Sequence, residues 1–77
     1  MNLEIISPEK TVYSGVSESV MLPGINGLFT ILDRHAPIIS VLTKGVVTYS
    51  VNGEKAEVMI SGGFVEAIQN NVSVCIE

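Results

Sequence analysis

Three adjacent residues, Asp33, Arg34 and His35, bring together an acid, a permanent cation and a base that titrates near neutral pH. A small hydrolase could use such a group. Consecutive side chains of an extended segment point to opposite faces, which would put Asp33 and His35 on one side and Arg34 on the other. Hydrolysis also needs a positioned nucleophile, and the sequence has no Gly-x-Ser-x-Gly elbow. We therefore expect no catalytic residues, with His35 as a corner residue whose ring hydrogen-bonds the backbone or a partner.

Metal and cofactor sites lack the residue patterns that their chemistry requires. His35 and Cys75 are the only histidine and cysteine, and they fall short of the three or four protein ligands of a typical site. The segment Ser61-Gly62-Gly63-Phe64 lacks the lysine and the following helix of a phosphate-binding loop. Its two glycines instead predict a bulge or a close approach between backbones. We expect no metal and no cofactor.

The charge distribution limits the possible partners. Acidic residues outnumber basic ones by eight to four, and the basic residues are scattered along the chain: Lys10, Arg34, Lys44 and Lys55. Nucleic acid and anionic lipid both require clustered basic side chains, so we expect neither as a partner. The aliphatic runs are far shorter than the roughly 20 residues that span a bilayer, which predicts no direct membrane insertion. The length predicts one domain over residues 1–77.

Alternation of apolar and polar residues predicts strands over most of the chain. Between residues 46 and 60 this alternation is interrupted only by Asn52-Gly53, a pair that tolerates the positive φ angles of a type I′ turn, so the stretch predicts a β-hairpin. Further strands are predicted over residues 3–7, 11–13, 16–22, 27–32, 38–42, 64–68 and 72–76. The predicted fold class is all-β: a single-domain flattened β-sandwich or barrel of about ten short, mostly antiparallel strands.

The least regular stretch, residues 25–37, carries an excess of apolar side chains. They are Ile25, Leu28, Phe29, Ile31 and Leu32, and Ile38 and Ile39 follow directly. A thin two-layer sandwich has little room to bury all of them, so one interpretation is an exposed patch that another subunit covers. The other interpretation is that all of them belong to the core. The pattern leaves both open.

The order of five motifs resembles the epsilon subunit of bacterial F-type ATP synthases. The motifs are LEIISPE at residues 3–9, VYSG at 12–15, HAP at 35–37, SGGFVE at 61–66 and NV at 71–72, and together they cover nearly the whole chain. The resemblance implies the family's N-terminal β-sandwich domain. It also implies a non-catalytic rotor role: in the central stalk, this domain links the gamma subunit to the c ring and couples rotation to ATP synthesis.

By position, the resemblance assigns two sets of partner-binding residues. The side facing the c ring comprises Asn26, Gly27, Leu28, Phe29, Asp33 and Arg34, and the side facing the gamma subunit comprises His35, Ile38 and Ser40. The chain departs from the family in this loop, because Leu28 and Thr30 stand where the family commonly has an acidic residue and a glycine. Asp33 is the candidate to supply the missing carboxylate.

The resemblance further implies a peripheral location at the cytoplasmic face of the bacterial inner membrane, within the ATP synthase. Family members often continue into two C-terminal helices that inhibit ATP hydrolysis, whereas this sequence stops at Glu77. We therefore expect coupling without helical inhibition from residues 1–77. The alternative function is a free-standing β-sandwich that binds a peptide or a carbohydrate in a groove around Phe29 and Tyr49.

Overall fold

The computed structural model describes residues 1–77, which form nine strands and no helix. The strands are β1 (Asn2–Ile6), β2 (Thr11–Val16), β3 (Ser19–Gly24), β4 (Gly27–Leu32), β5 (Ile38–Leu42), β6 (Gly45–Val51), β7 (Glu54–Ile60), β8 (Gly63–Ile68) and β9 (Asn71–Ile76). No helix is present that is long and apolar enough to cross a membrane. The all-β prediction is confirmed.

The strands form one curled sheet that folds into two layers. The first layer has the order β2-β1-β9-β8-β5, and the second has the order β4-β3-β6-β7. The layers join where a single residue of β3, Gly24, pairs with Leu42 of β5. All paired strands are antiparallel except β1 and β9. The structure is therefore the mostly antiparallel sandwich that the sequence predicts.

The core lies between the two layers and draws on both. It contains fifteen buried apolar residues: Met1, Leu3, Ile5, Val20, Leu22, Ile31, Leu42, Val47, Tyr49, Ile60, Val65, Ala67, Val72, Val74 and Ile76. In β1, β8 and β9 the buried residues alternate with exposed or half-buried ones, whereas β3 ends with three consecutive buried residues. The alternation leaves a separate outer face on each layer.

Two tight turns fix the register of consecutive strands. At the β6–β7 turn, Asn52 and Gly53 have φ angles of 53° and 80°, and at the β8–β9 turn Gln69 and Asn70 have φ angles of 51° and 64°. Positive φ at both central residues is the mark of a type I′ turn, whose twist matches the flanking strands. The predicted hairpin over residues 46–60 is confirmed.

The strand predicted over residues 16–22 is wrong, because the chain changes layer at Ser17-Glu18. Ser17 is fully buried. Its hydroxyl oxygen lies 2.8 Å from the Ser19 carbonyl oxygen and 2.7 Å from the Ser50 carbonyl oxygen, and the hydroxyl can donate its hydrogen to either of them. This buried polar side chain satisfies backbone groups where the strand pairing is interrupted. The break expected at Ser14-Gly15 is likewise absent, since β2 continues to Val16.

The strand predicted over residues 27–32, within the least regular stretch, is confirmed, and residues 33–37 form no strand. Residues 27–32 form β4, which pairs with β3 from Gly24↔Gly27 to Ser19↔Leu32 around an Ile25-Asn26 turn.

Gly63 meets the expectation of a close backbone approach. A Cβ atom there would lie 2.1 Å from the Cys75 carbonyl oxygen, at a φ of +146°.

Candidate partner-binding surface

The residues predicted to face the c ring lie at opposite ends of β4. Asn26, Gly27, Leu28 and Phe29 belong to the β3–β4 turn and the start of the strand, whereas Asp33 and Arg34 follow its last residue. Three extended residues, 30–32, separate Phe29 from Asp33 by about 13 Å. The structure therefore does not bring the six residues into one cluster.

The corner after β4 is held by contacts to distant segments. The Asp33 carboxylate forms an ion pair with the α-amino group of Met1, and the Arg34 amide donates to Asn70 Oδ1 at 2.7 Å. The neighbouring His35 Nδ1 lies 2.8 Å from the carbonyl oxygen of Ala36. The imidazole thus engages the adjacent backbone rather than Asp33, and the pair is not arranged as an acid and a base acting together.

The electrostatics of this corner favour the ionised form of Asp33. The hydrogen bond from the Met1 α-amino group, and the charge of that group, hold the pKa of the Asp33 carboxyl below its ordinary value. Asn70 and Arg34 act in the same direction, with smaller effects, while partial desolvation opposes them. The carboxylate is therefore engaged within the domain, which reduces its availability for the ring contact that the sequence suggests.

The outer side of β5 and β8 presents exposed apolar side chains, here called the β5–β8 face: Ile39, Val41, Phe64 and Ile68. They are 74%, 55%, 51% and 52% exposed, respectively. Val41 pairs directly with Phe64, and Ile39 pairs with Glu66, which lies between Phe64 and Ile68 along β8. Side chains of directly paired residues share a face of the sheet, so these residues form one surface.

The β3–β4 turn extends this surface. The Ile25 amide donates to the Val41 carbonyl oxygen at 3.1 Å, and the Thr43 amide donates to the Pro23 carbonyl oxygen at 2.9 Å. The turn is thereby fixed beside the end of β5. Ile25 and Leu28 are 66% and 69% exposed, so the turn presents apolar side chains next to the end of β5. The structure divides the apolar residues of this stretch: Ile25, Leu28, Leu32 and Ile39 are exposed, Ile31 is core, and Phe29 and Ile38 are partly buried against the core.

The residues predicted to face the gamma subunit differ in orientation from this surface. Ile38 and Ser40 are half-buried, and Ile38 packs against the core, because β5 turns Ile39 and Val41 outward. His35 is exposed before the strand begins. The predicted gamma-side residues Ile38 and Ser40 thus share β5 with the β5–β8 face, but the predicted set does not include Val41, Phe64 and Ile68. The sequences of β5, IISVL, and β8, GFVEAI, show no alternation of polar and apolar residues that could have revealed them, and only the pairing of the two strands does so.

The aromatic side chains of Phe29 and Tyr49, which were proposed to line a ligand groove, pack against the core instead. Tyr49 is 8% exposed within the core and stacks on Tyr13 with ring centroids 4.6 Å apart. Phe29 is half-buried and pairs with Leu22, against the same core. A groove of about 320 Å³ on the β5–β8 face instead involves Pro37, Ile38, Ile39, Glu66, Ala67 and Ile68, most of them apolar. This geometry favours the interpretation as a partner-binding surface over the groove around Phe29 and Tyr49.

Comparison with known proteins identifies the family of the chain. A family model described as the β-sandwich domain of the ATP synthase delta/epsilon chain matches residues 1–77. The chain belongs to this family. It is 46% identical over 72 residues to the ATP synthase epsilon chain of Desulfitobacterium hafniense, covering 94% of this chain and 54% of that one. It is 40% identical over 77 residues to the epsilon chain of Nitratidesulfovibrio vulgaris, covering 100% and 58%.

Solved structures agree with the epsilon-type fold. A chain of the Euglena gracilis mitochondrial ATP synthase, in a structure of OSCP, F1 and the c ring, superposes with a TM-score of 0.90 at 18% identity, covering 96% of this chain and 48% of that one. A chain of the Tetrahymena thermophila central stalk and c ring gives 0.83 at 15% identity, covering 99% and 62%. The family membership predicted from the motifs is confirmed. The chain spans little more than half the length of the curated epsilon chains that it matches.

Proposed function

We propose that residues 1–77 form the domain through which an F-type ATP synthase epsilon subunit links the gamma subunit to the c ring. The domain is non-catalytic, and it couples rotation of the central stalk to ATP synthesis. One observation carries the proposal: exposed apolar side chains on the β5–β8 face and at the neighbouring β3–β4 turn remain outside a filled core. A surface of this kind is typical of a subunit that is completed by a partner.

Two contacts are assigned to this surface. The gamma subunit covers the β5–β8 face, with His35, Ile38 and Ser40 at its margin. The c ring meets the β3–β4 turn at Asn26, Gly27, Leu28 and Phe29. Asp33 and Arg34 take part only if the ring surface extends along the whole of β4, about 17 Å.

The proposed location follows from these contacts. The domain is peripheral, at the cytoplasmic face of a bacterial inner membrane, and is held there by its partners. The support is the bacterial origin of relatives named ATP synthase epsilon chain, and the c ring and central stalk named for the two structural neighbours. The neighbours support this only through their fold, because their sequence identities to this chain are low.

Gamma binding can be tested with matched substitutions on opposite outer faces. We expect the 77-residue chain to bind purified gamma subunit in isothermal titration calorimetry, and Val41→Asp to abolish binding at micromolar concentration. Met59→Asp is the control, because Met59 is 82% exposed on the outer side of β7. Failure of the unmodified chain to bind gamma, or equal loss with both variants, would contradict the assignment.

Coupling can be tested in membranes depleted of the epsilon subunit. Adding back the 77-residue chain is expected to restore ATP-driven proton pumping, measured by quenching of a pH-sensitive dye. A Leu28→Asp variant is expected to bind gamma normally while restoring pumping poorly, since Leu28 lies at the turn assigned to the ring. Normal pumping by this variant would contradict the assignment of the ring contact to the β3–β4 turn.

A further inference from the structure

A single carboxylate interrupts the β5–β8 face. Glu66 lies between Phe64 and Ile68 on β8 and pairs with Ile39 on β5. It forms no ion pair within the domain, where the only salt bridge joins Met1 and Asp33. In the isolated domain its charge is therefore balanced by water alone, in the middle of an apolar surface.

The rest of this outer face supplies no positive charge. On its other side Glu66 pairs with Ser73 of β9, and Ser73 pairs with Glu4 of β1, so a second carboxylate lies about 10 Å away across two strand spacings. The other outward residues at paired positions of β1, β2 and β9 are apolar or uncharged: Asn2, Ile6, Thr11, Ser14, Val16, Asn71 and Cys75. The face thus carries two acids and no base.

Covering such a face removes water from Glu66. A charge that loses its hydration without gaining a partner opposes binding strongly, whereas a buried carboxylate that meets a cation or several hydrogen-bond donors does not. The same argument disfavours a second copy of this chain on this face, because pairing two copies would bring together four acids and no base. Anionic lipid headgroups are disfavoured for the same reason.

Building on the proposed function, we propose that the gamma surface covering the β5–β8 face carries a basic side chain, arginine or lysine, that pairs with Glu66. The apolar side chains supply the buried area, and Glu66 selects the partner and fixes its orientation. An arginine suits this position best, because its planar guanidinium can bind a carboxylate through two parallel hydrogen bonds.

The test measures the affinity and salt dependence of gamma binding for charge variants at two exposed glutamates. Glu66→Gln is expected to weaken binding about tenfold and to flatten the dependence of Kd on salt between 50 and 500 mM, since the screened attraction is lost. Glu66→Lys is expected to weaken binding by about a hundredfold or more. Glu57→Gln and Glu57→Lys are the controls, because Glu57 lies on the outer side of β7 and pairs with Thr48. These are expected to change Kd less than twofold.

The outcomes separate this inference from the function on which it rests. If the unmodified chain does not bind gamma, the proposed function fails. If it binds, but Glu66→Gln binds equally well or more tightly, the ion pair is overturned and the gamma contact stands. Equal weakening by the Glu57 variants would also overturn it, because the effect would then follow net charge rather than position. Thermal unfolding of each variant confirms that the exposed substitutions leave the fold intact.

Discussion

Two hairpins of the second layer have the same backbone design and opposite surfaces. Both join six- or seven-residue strands through two-residue turns. The β6–β7 hairpin exposes Glu54, Lys55 and Glu57, and a carboxylate from outside the hairpin, Glu18, caps its turn. The β3–β4 hairpin is uncharged and exposes Ile25, Leu28 and Leu32 instead.

The difference shows that the backbone pairing of a hairpin does not determine whether its outer surface is charged or apolar. Both hairpins bury their inward residues in the same core, and only the solvent-facing side chains differ. Charges along an outer strand protect it from unintended pairing, and β7 has them where β4 does not. The β6–β7 hairpin therefore presents a charged surface to solvent, whereas the β3–β4 hairpin presents the apolar surface on which the proposed ring contact rests.

The sharpest test of this comparison uses adjacent residues of β4. Ile31 is 1% exposed and Leu32 is 57% exposed. Ile31→Ala is expected to lower the free energy of unfolding by about 3 kcal/mol, because it leaves a cavity in the core. Leu32→Ala is expected to change it by less than about 0.5 kcal/mol. Urea denaturation measures both, and a large loss for Leu32→Ala would mean that the exposed side chains of β4 stabilise the isolated domain after all.

A second test compares the glycines of the two turns. A Cβ atom at Gly24 would lie 2.8 Å from the Gly27 carbonyl oxygen and from the Phe29 ring, so the β3–β4 turn must shift to accept it. Gly53 has open space around it, although its φ of +80° is strained for other residues. We expect Gly24→Ala to lower the free energy of unfolding by about 2 kcal/mol and Gly53→Ala by about 1 kcal/mol. Equal losses would contradict this expectation, because crowding at Gly24 would then cost no more than the positive φ at Gly53.

Local patterns predicted the β6–β7 hairpin well, because its alternation and its Asn52-Gly53 turn are set by neighbours in sequence. The β2–β3 junction was missed because the buried hydroxyl of Ser17 is satisfied by Ser50, 33 residues away. The candidate surface was predicted only in part for a related reason. Ile38 and Ile39 are chemically identical, and only the pairing of β5 with β8 decides which of them faces outward.

The turn cap of the β6–β7 hairpin gives a smaller expected effect. The Glu18 carboxylate accepts hydrogen bonds from the Asn52 and Gly53 amides at 3.1 and 3.0 Å. Glu18→Ala removes both acceptors at an exposed position, so we expect a loss of about 1 kcal/mol in the free energy of unfolding. Glu54→Ala, in the same hairpin but without a side-chain hydrogen bond, is the matched control. If both variants lose the same free energy of unfolding, the Glu18 cap does not stabilise this hairpin and does not distinguish it from the β3–β4 hairpin.

The smallest effect concerns the far end of β4, where Asp33 is tied to the domain rather than left for a partner. Its pKa is lowered in the folded state, chiefly by the hydrogen bond from the Met1 α-amino group. A carboxyl group with a depressed folded pKa stabilises the fold above its unfolded pKa and loses that contribution as the pH falls through the folded value. The contribution should therefore be complete at pH 7 and should fade below about pH 4.

Asp33→Asn removes this titration, so the melting temperature of the variant should fall less steeply between pH 5 and pH 2 than that of the unmodified domain. Glu9→Gln is the control, because Glu9 is exposed and its carboxylate makes no hydrogen bond, and its profile should follow the unmodified one. Identical slopes for Asp33→Asn and the unmodified domain would mean that the ion pair contributes nothing in solution. Asp33 would then be as free for a partner as Leu28 and Ile25 are at the other end of β4.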